Sequence, residues 1–69
     1  MHKVGDLLWD EEYNEFGIIT KIHEPKTSKP QNEYLYAVRF VDSNEIDAFN
    51  EHAIRKYKRD LKLKLEGFE

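Results

Sequence analysis

Apolar and polar residues alternate along the middle of the chain in the pattern of half-buried β-strands. Every second residue from 34 to 41 falls on the same face, which places Tyr34, Tyr36, Val38 and Phe40 on one side and Leu35, Ala37, Arg39 and Val41 on the other. After a turn at residues 42–44 the alternation returns over residues 45–49, and the β-branched run at residues 18–20 favours another strand. With the apolar stretch at residues 4–9, these segments predict roughly three or four short strands, as in a small antiparallel barrel or sandwich.

A loop is predicted between two of these strands. Residues 24–33 contain two prolines and no apolar residue, so this stretch has nothing to bury. The strands on either side of it are therefore expected to be joined by an irregular surface segment.

The last third of the chain changes to a helical pattern. Residues 51–66 are mostly good helix formers without Gly or Pro, and an apolar stripe recurs at helical spacing: Ile54, Tyr57, Leu61 and Leu65. Asn50 is placed to cap the start of this helix, and Gly67 to end it in a left-handed conformation, with Phe68 contacting Leu63. Both capping signals favour a helix over the alternative, an edge strand in which Leu61, Leu63 and Leu65 alternate with lysines.

Length and composition indicate one small domain. Its 69 residues contain no cysteine, so an aromatic and aliphatic core must stabilise it without disulfides or thiolate metal sites. We divide it into a barrel core, residues 1–50, and a basic C-terminal helix and tail packed on that barrel, residues 51–69. No apolar stretch approaches the roughly 20 residues that span a membrane, and the first residues lack a signal-peptide core. The expected location is the cytoplasm, and no membrane partner is expected.

Charge is distributed unevenly along the chain. The net charge of −3 combines −5 over residues 1–50 (five basic and ten acidic residues) with +2 over residues 51–69 (six basic and four acidic residues). Basic side chains of the predicted helix could neutralise phosphates, and the nucleic-acid contacts of this hypothesis are Arg55, Lys58, Arg59 and Lys62. The acidic body and a pI of about 5.6 make it the second hypothesis, because nucleic-acid-binding domains are usually strongly basic.

Several short motifs occur in the order found in a known family. They are Val4-Gly-Asp-x-Leu-Trp, Gly17-Ile-Ile-x-x-Ile and Tyr36-x-Val-x-Phe-x-Asp, separated by a polar turn and a loop. In this order the chain resembles SH3-like barrels of the Tudor and KOW type over residues 4–54, and also small proteins of tailed bacteriophages. The resemblance implies an SH3-like antiparallel barrel in which Gly5 lets the chain turn and Gly17 avoids crowding at a bent strand. It also implies the host cytoplasm or the virion as the location.

Tudor domains that read methylated lysine hold the cation in an aromatic cage by cation–π attraction. Trp9 and Phe40 stand at positions that match two aromatic residues of that cage. Glu15 and Ile46 stand where the family has further cage aromatics. Core or rim packing of Trp9 and Phe40 is therefore favoured over the reading of methyl-lysine.

The sequence indicates neither catalysis nor a cofactor or metal. The acidic turn at residues 10–15 lacks the alternating Asp/Asn-Gly pattern of a calcium loop, and the separated His2, His23 and His52 make a weak zinc signature. Ser28 and Ser43 have neither a neighbouring histidine nor a glycine-rich oxyanion loop. We therefore expect a protein that is not an enzyme.

The first functional hypothesis is a non-catalytic protein-interaction module. Aromatic side chains anchor interfaces, so the binding residues are predicted around the acidic turn: Trp9, Asp10, Glu11, Glu12, Tyr13 and Phe16. On the bacteriophage resemblance the partner is a host or viral protein, and a homo-oligomer is also compatible. Two alternatives stay open, a nucleic-acid-binding module that uses the helix and a structural or assembly component of a virion.

Overall fold

The computed structural model describes residues 2–24 and 34–67, which form four strands followed by one helix. The elements are β1 (Leu7–Asp10), β2 (Glu15–His23), β3 (Leu35–Phe40), β4 (Ile46–Asn50) and α1 (Glu51–Glu66). The mainly β class with a C-terminal helix is thus confirmed, and the edge-strand alternative for residues 51–66 is wrong. The predicted loop beyond Glu24, and the predicted contact of Phe68 with Leu63, lie outside the described residues. In the described ranges, no helix has the length and apolar character needed to cross a membrane.

The strands form one antiparallel sheet in the order β1-β2-β3-β4. The pairing of β2 with β3 shifts register between Ile19 and Lys21, so Thr20 is the extra residue of a β-bulge, which bends the strand. Among the described residues β1 and β4 do not pair with each other, so the sheet is open and its closure into a barrel is not confirmed. Helix α1 contacts both of these edge strands and packs most extensively on β1.

The inner face of the sheet carries the hydrophobic core. Tyr36, Val38 and Phe40 are buried on β3, whereas Leu35 and Arg39 are exposed on the opposite face, as the alternation predicts. The three buried side chains form one cluster with residues from β1, β2 and α1: Leu8, Ile19 and Ile54. The helix therefore covers this side of the sheet, whereas Leu35 and Arg39 leave much of the other side open to solvent.

Two glycines occupy positions that a side chain would disturb. Gly5 adopts a φ of +96°, which L-residues rarely reach, at the turn that leads into β1. Gly17 lies in β2, where an added Cβ would be 2.6 Å from Val38 Cγ1 and 3.2 Å from Phe40 Cε1. The crowding expected at Gly17 is confirmed, and its source is the neighbouring strand β3.

Helix α1 begins where the sequence predicts. The Asn50 side chain accepts a hydrogen bond from the Ala53 N–H at 2.9 Å, and the Asn50 backbone is extended, as expected of an N-cap. Ile54 is fully buried in the core cluster, and Tyr57 is half-buried against it. The first half of the helix is therefore firmly docked on the sheet.

The last turns of α1 depart from the prediction. Leu61 is half-buried but Leu65 is 56% exposed, so the apolar stripe predicted to reach Leu65 ends one turn earlier. Gly67 has a φ of −83° instead of the predicted left-handed conformation. The reason is that its N–H continues the helical pattern and bonds to the Leu63 carbonyl at 2.9 Å.

Two lysines tie α1 to β1 and to the turn before it. Lys58 Nζ lies 2.6 Å from Asp6 Oδ2, and Lys64 Nζ lies 3.9 Å from the centre of the Trp9 ring. Trp9 also meets Phe16 of β2 edge to face, with 4.9 Å between the ring centres. The helix thus covers the β1 edge and leaves Trp9 only 8% exposed.

A polar network joins the N-terminal segment, β3 and the start of α1. The Glu51 carboxylate accepts hydrogen bonds from the Tyr36 hydroxyl at 2.8 Å and from Arg55 Nε–H at 2.9 Å, and lies 2.7 Å from His2 Nε2. The hydrogen bond from Tyr36, together with those from His2 and Arg55, lowers the pKa of Glu51 to about 2. Burial and the Glu51 acceptor raise the pKa of Tyr36 to about 12. The carboxylate therefore stays ionised in all but strongly acidic solution.

Candidate functional site

A concave pocket opens between the β1–β2 turn, the β3–β4 turn and helix α1. Its volume is about 520 Å³, and we call it the acidic pocket. Five carboxylate side chains line it: Asp10, Glu12, Glu15, Glu45 and Asp47. Ser43 and four aromatic rings complete the lining: Tyr13, Phe40, Phe49 and Tyr57. Within the described ranges the lining contains no lysine, arginine or histidine.

The β1–β2 turn holds one side of the acidic pocket in place. Asp10 is 5% exposed, and its Oδ1 accepts hydrogen bonds from the Glu12 N–H at 2.9 Å and the Tyr13 N–H at 3.3 Å. These bonds form an Asx turn, in which the side chain imitates a backbone turn. Asn14 follows with a φ of 55°, a left-handed conformation that asparagine tolerates, and the chain then enters β2. The turn places Glu12 and the 69% exposed Tyr13 at the rim of the pocket.

The β3–β4 turn forms the opposite side. The Phe40 N–H donates to the Glu45 carbonyl at 2.8 Å, and the Asn44 N–H donates to the Phe40 carbonyl at 2.8 Å. Asn44 is the second asparagine in a left-handed conformation, with a φ of 63°. Glu15 Oε1 accepts a hydrogen bond from the Ser43 N–H at 3.1 Å, which joins the two turns. Because hydrogen bonds fix both turns, the pocket is formed before any ligand arrives.

Aromatic packing builds the wall between β3, β4 and α1. The Phe49 ring stands edge to face with Phe40, at 6.1 Å between centres, and with Tyr57, at 5.1 Å. Burial, and then the nearby Asp10 carboxylate, raise the pKa of Tyr57, to which Glu12 also contributes. The Tyr57 hydroxyl therefore experiences the negative potential of the acidic pocket.

The arrangement suits an organic cation supplied from outside the domain. None of the ion pairs between described residues involves Glu12, Glu45 or Asp47, so these three charges are not neutralised there. A lysine or arginine head group in the pocket would meet several carboxylates and an aromatic face together.

The predicted interface residues divide between two places. Asp10, Glu12 and Tyr13 line the acidic pocket. Trp9 and Phe16 pack on each other, and neither ring lines the acidic pocket. The exposed Glu11 also lies outside the lining of the pocket. Trp9 has little free surface for a partner because Lys64 covers its ring. The two matches to the aromatic cage of Tudor domains are separated as well, since Phe40 lines the pocket and Trp9 does not.

The part of the pocket that β4 and α1 supply, Asp47, Phe49 and Tyr57, was missed by reasoning from the sequence. The alternation in residues 45–49 does indicate that Asp47 and Phe49 share a face. No local pattern indicates that this face meets Asp10 and Tyr57, because that meeting depends on how the helix packs across the sheet.

The residues of the nucleic-acid hypothesis lie on α1, and none of them lines the acidic pocket. Arg55 pairs with Glu51 at 2.9 Å and Lys58 with Asp6 at 2.6 Å, whereas Arg59 and Lys62 form no ion pair within the described ranges. Two other lysines of the helix are engaged as well: Lys56 with Asp60 at 3.3 Å, and Lys64 with the Trp9 ring. Much of the positive charge of α1 is thus used inside the domain.

No protein-family model, curated protein or solved structure matches the chain. In the part of the chain that the structure describes, no group of three His, Cys, Asp or Glu side chains is arranged to hold a metal ion. The shape and charge of the acidic pocket are therefore the basis for assigning a function.

Proposed function

We propose that this protein is a non-catalytic interaction module, built on the SH3-like barrel expected from its sequence, that binds a basic segment of a protein partner in the acidic pocket. The supporting observation is that five carboxylates and four aromatic rings converge on one cavity whose described lining has no basic side chain. The expected source of the partner, a bacteriophage or its host, rests on the sequence resemblance alone.

Electrostatics favour a lysine or arginine side chain as the bound group. Two opposite unit charges 4 Å apart attract each other by about 1 kcal/mol in bulk water and by about 4 kcal/mol near a protein surface. An aromatic face adds ~0.5–2 kcal/mol, depending on how far the cation is desolvated. The half-buried Phe49 and Tyr57 rings line one side of the pocket, and beside such an apolar wall the attraction is stronger than at an open surface.

The same charges disfavour nucleic acid as the partner. Phosphates would be repelled by the acidic pocket, and Arg55 and Lys58 already pair within the domain. A role in virion assembly is compatible with the proposal when the basic segment belongs to a virion protein.

A titration of fluorescently labelled peptides, followed by anisotropy, tests the proposal. One peptide is rich in lysine and arginine, and the other carries glutamate at the same positions. At about 150 mM salt we expect only the basic peptide to bind. Binding of the acidic peptide, or of neither peptide, would contradict the proposal.

Charge reversal then locates the site. Glu12→Lys and Asp47→Lys, both in the pocket, should each weaken binding about tenfold, which corresponds to about 1.4 kcal/mol. Glu11→Lys is the matched control, because it makes the same charge change at a neighbouring exposed position outside the pocket and should cost at most about threefold. Circular dichroism checks that each variant is folded. Equal losses at Glu11 and Glu12 would show that net charge alone governs binding.

A further inference from the structure

The two edges of the sheet differ in their protection. Strand β1 lies beneath helix α1, where Lys64 covers Trp9. Strand β4 pairs only with β3 among the described residues, and Ile46, Asp47 and Ala48 are all exposed. An uncovered edge strand is a template for pairing with another strand.

The backbone groups at the free edge of β4 belong to identifiable residues. The Phe40 N–H bonds to the Glu45 carbonyl, which sets the frame of the β3–β4 ladder. In an antiparallel ladder the backbone N–H and C=O groups of successive residues point alternately towards the partner strand and away from it. Counting along the register from that bond, Val38 and Asp47 form a hydrogen-bonded pair, and Ala37 and Ala48 form a pair that is not hydrogen-bonded. Ala48 therefore presents its N–H and C=O to the free edge.

We propose that the basic segment of the partner adds to β4 as a further strand, with alternate side chains entering the acidic pocket. This inference rests on the proposed function and gives its binding mode. Asp47 and Phe49 of β4, with Glu45 just before it, line the pocket, and by their pairing they lie on the same side of the sheet as the buried residues of β3. Side chains of an added strand alternate with a period of two, so every second one would follow that face.

The acidic residues at β4 favour a basic partner strand over a second copy of the chain at this edge. Two copies pairing antiparallel through β4 would place the Glu45 and Asp47 carboxylates of both copies on the same face of the joined sheet, and like charges across strands destabilise pairing. A strand with lysine at the inward positions would neutralise those carboxylates instead. At the outward positions it would lie beside Ile46, which is 64% exposed, so β-branched residues fit there.

Three peptides of equal length test the inference by anisotropy. The first alternates lysine and valine, the second has the same residues in two blocks, and the third is the alternating peptide with every second backbone nitrogen methylated. The alternating peptide should bind about tenfold more tightly than the other two, because only it has both alternating lysine side chains and a full set of backbone N–H groups.

A variant of β4 tests the same contact from the protein side. Ala48→Pro removes an N–H at the free edge without removing a bond to β3, a place where edge strands accept proline. It should weaken binding of the alternating peptide about tenfold, whereas Ala48→Val, which keeps the N–H, should bind normally. Amide hydrogen exchange at Ala48 in the unaltered protein should slow on binding, and this measurement decides the matter if Ala48→Pro unfolds.

The outcomes separate this inference from the proposed function. Strand addition would be overturned if the alternating and block peptides bound equally well and the Glu12→Lys variant bound neither. The proposed function would then still stand. Binding of none of the peptides would overturn both. Dimerisation of the free protein with protection of the Ala48 amide would assign the edge to a second copy.

Discussion

Gly17 and Val38 lie so close across the β2–β3 pair that a Cβ on Gly17 would be 2.6 Å from Val38 Cγ1. Val38 is fully buried, and the same Cβ would lie 3.2 Å from Phe40 Cε1. The surrounding side chains therefore leave no space for a side chain at Gly17. Gly17 is therefore required for the close approach of two strands, whereas Gly5 is required for its positive φ.

Gly17→Ala should lower the free energy of unfolding by about 1–3 kcal/mol through overpacking. Val38→Ala removes the atom that the new Cβ would meet, so the double variant should be more stable than the sum of the single costs by about 1 kcal/mol. Chemical denaturation measures all three. Gly5→Ala is the control, because a Cβ there meets nothing within 4 Å and its cost should add to that of Val38→Ala. Additive costs for Gly17→Ala and Val38→Ala would contradict the crowding.

Substitutions along α1 should follow the observed burial of its side chains. Ile54→Ala should cost about 2–5 kcal/mol, because Ile54 is fully buried in the core. Leu61→Ala should cost less, about 1–2 kcal/mol, since Leu61 is half-buried. Leu63 is 59% exposed, and Leu63→Ala should stay within about 0.5 kcal/mol. Thermal unfolding that ranks Leu63 level with Ile54 would show that the helix docks through another face.

Acid should remove the stabilisation that Glu51 provides. The pKa of Glu51 is about 2 in the folded protein and near 4.5 in the unfolded chain. Its contribution to the free energy of unfolding is therefore complete above about pH 4.5 and is lost as the pH falls towards 2. About a third of the side chain is exposed and water screens the pairs, so we expect a contribution of only about 1 kcal/mol.

Thermal unfolding of the native protein and of Glu51→Gln checks this dependence. The difference in stability should be largest at neutral pH and shrink between about pH 4.5 and pH 2. Glu11→Gln, at an exposed position, should follow the native protein at every pH. A difference that grows as the solution is acidified would have the wrong sign for a carboxylate with a lowered pKa.

Duplex DNA should not bind at about 150 mM salt. The reason is that the acidic pocket repels phosphate and that Arg55 and Lys58 are paired within the domain. A gel-shift titration measures this directly. Sub-micromolar binding that is abolished when Arg55, Arg59 and Lys62 become glutamate would favour the nucleic-acid hypothesis instead.

Features set by local pattern could be predicted from the sequence. The buried and exposed faces of β3 follow from its alternation, and the start of α1 follows from Asn50 and the good helix formers after it. The helix end was predicted less well. Leu65 fits the apolar stripe by spacing, but it is 56% exposed in the folded protein.

The acidic pocket could not be predicted because it depends on contacts between distant segments. Glu15 and Ser43 are 28 residues apart, and their hydrogen bond brings the two turns together. The burial of Trp9 has the same origin, since a lysine in the last turns of the helix covers a ring at the start of the sheet. The sequence marks Trp9 as a large aromatic residue and does not indicate which segment will cover it.

Trp9 is the only tryptophan of the chain, and the ammonium of Lys64 lies 3.9 Å from its ring centre. Indole emission responds to a nearby charge and to water, so the protein carries its own optical probe of the C-terminal turns of α1. Helix ends open more readily than buried segments, and fraying from this end would change the emission while Ile54 is still in the core. Comparing emission with far-ultraviolet dichroism during heating would thus show whether the helix leaves the sheet in one step or detaches first at its last turns.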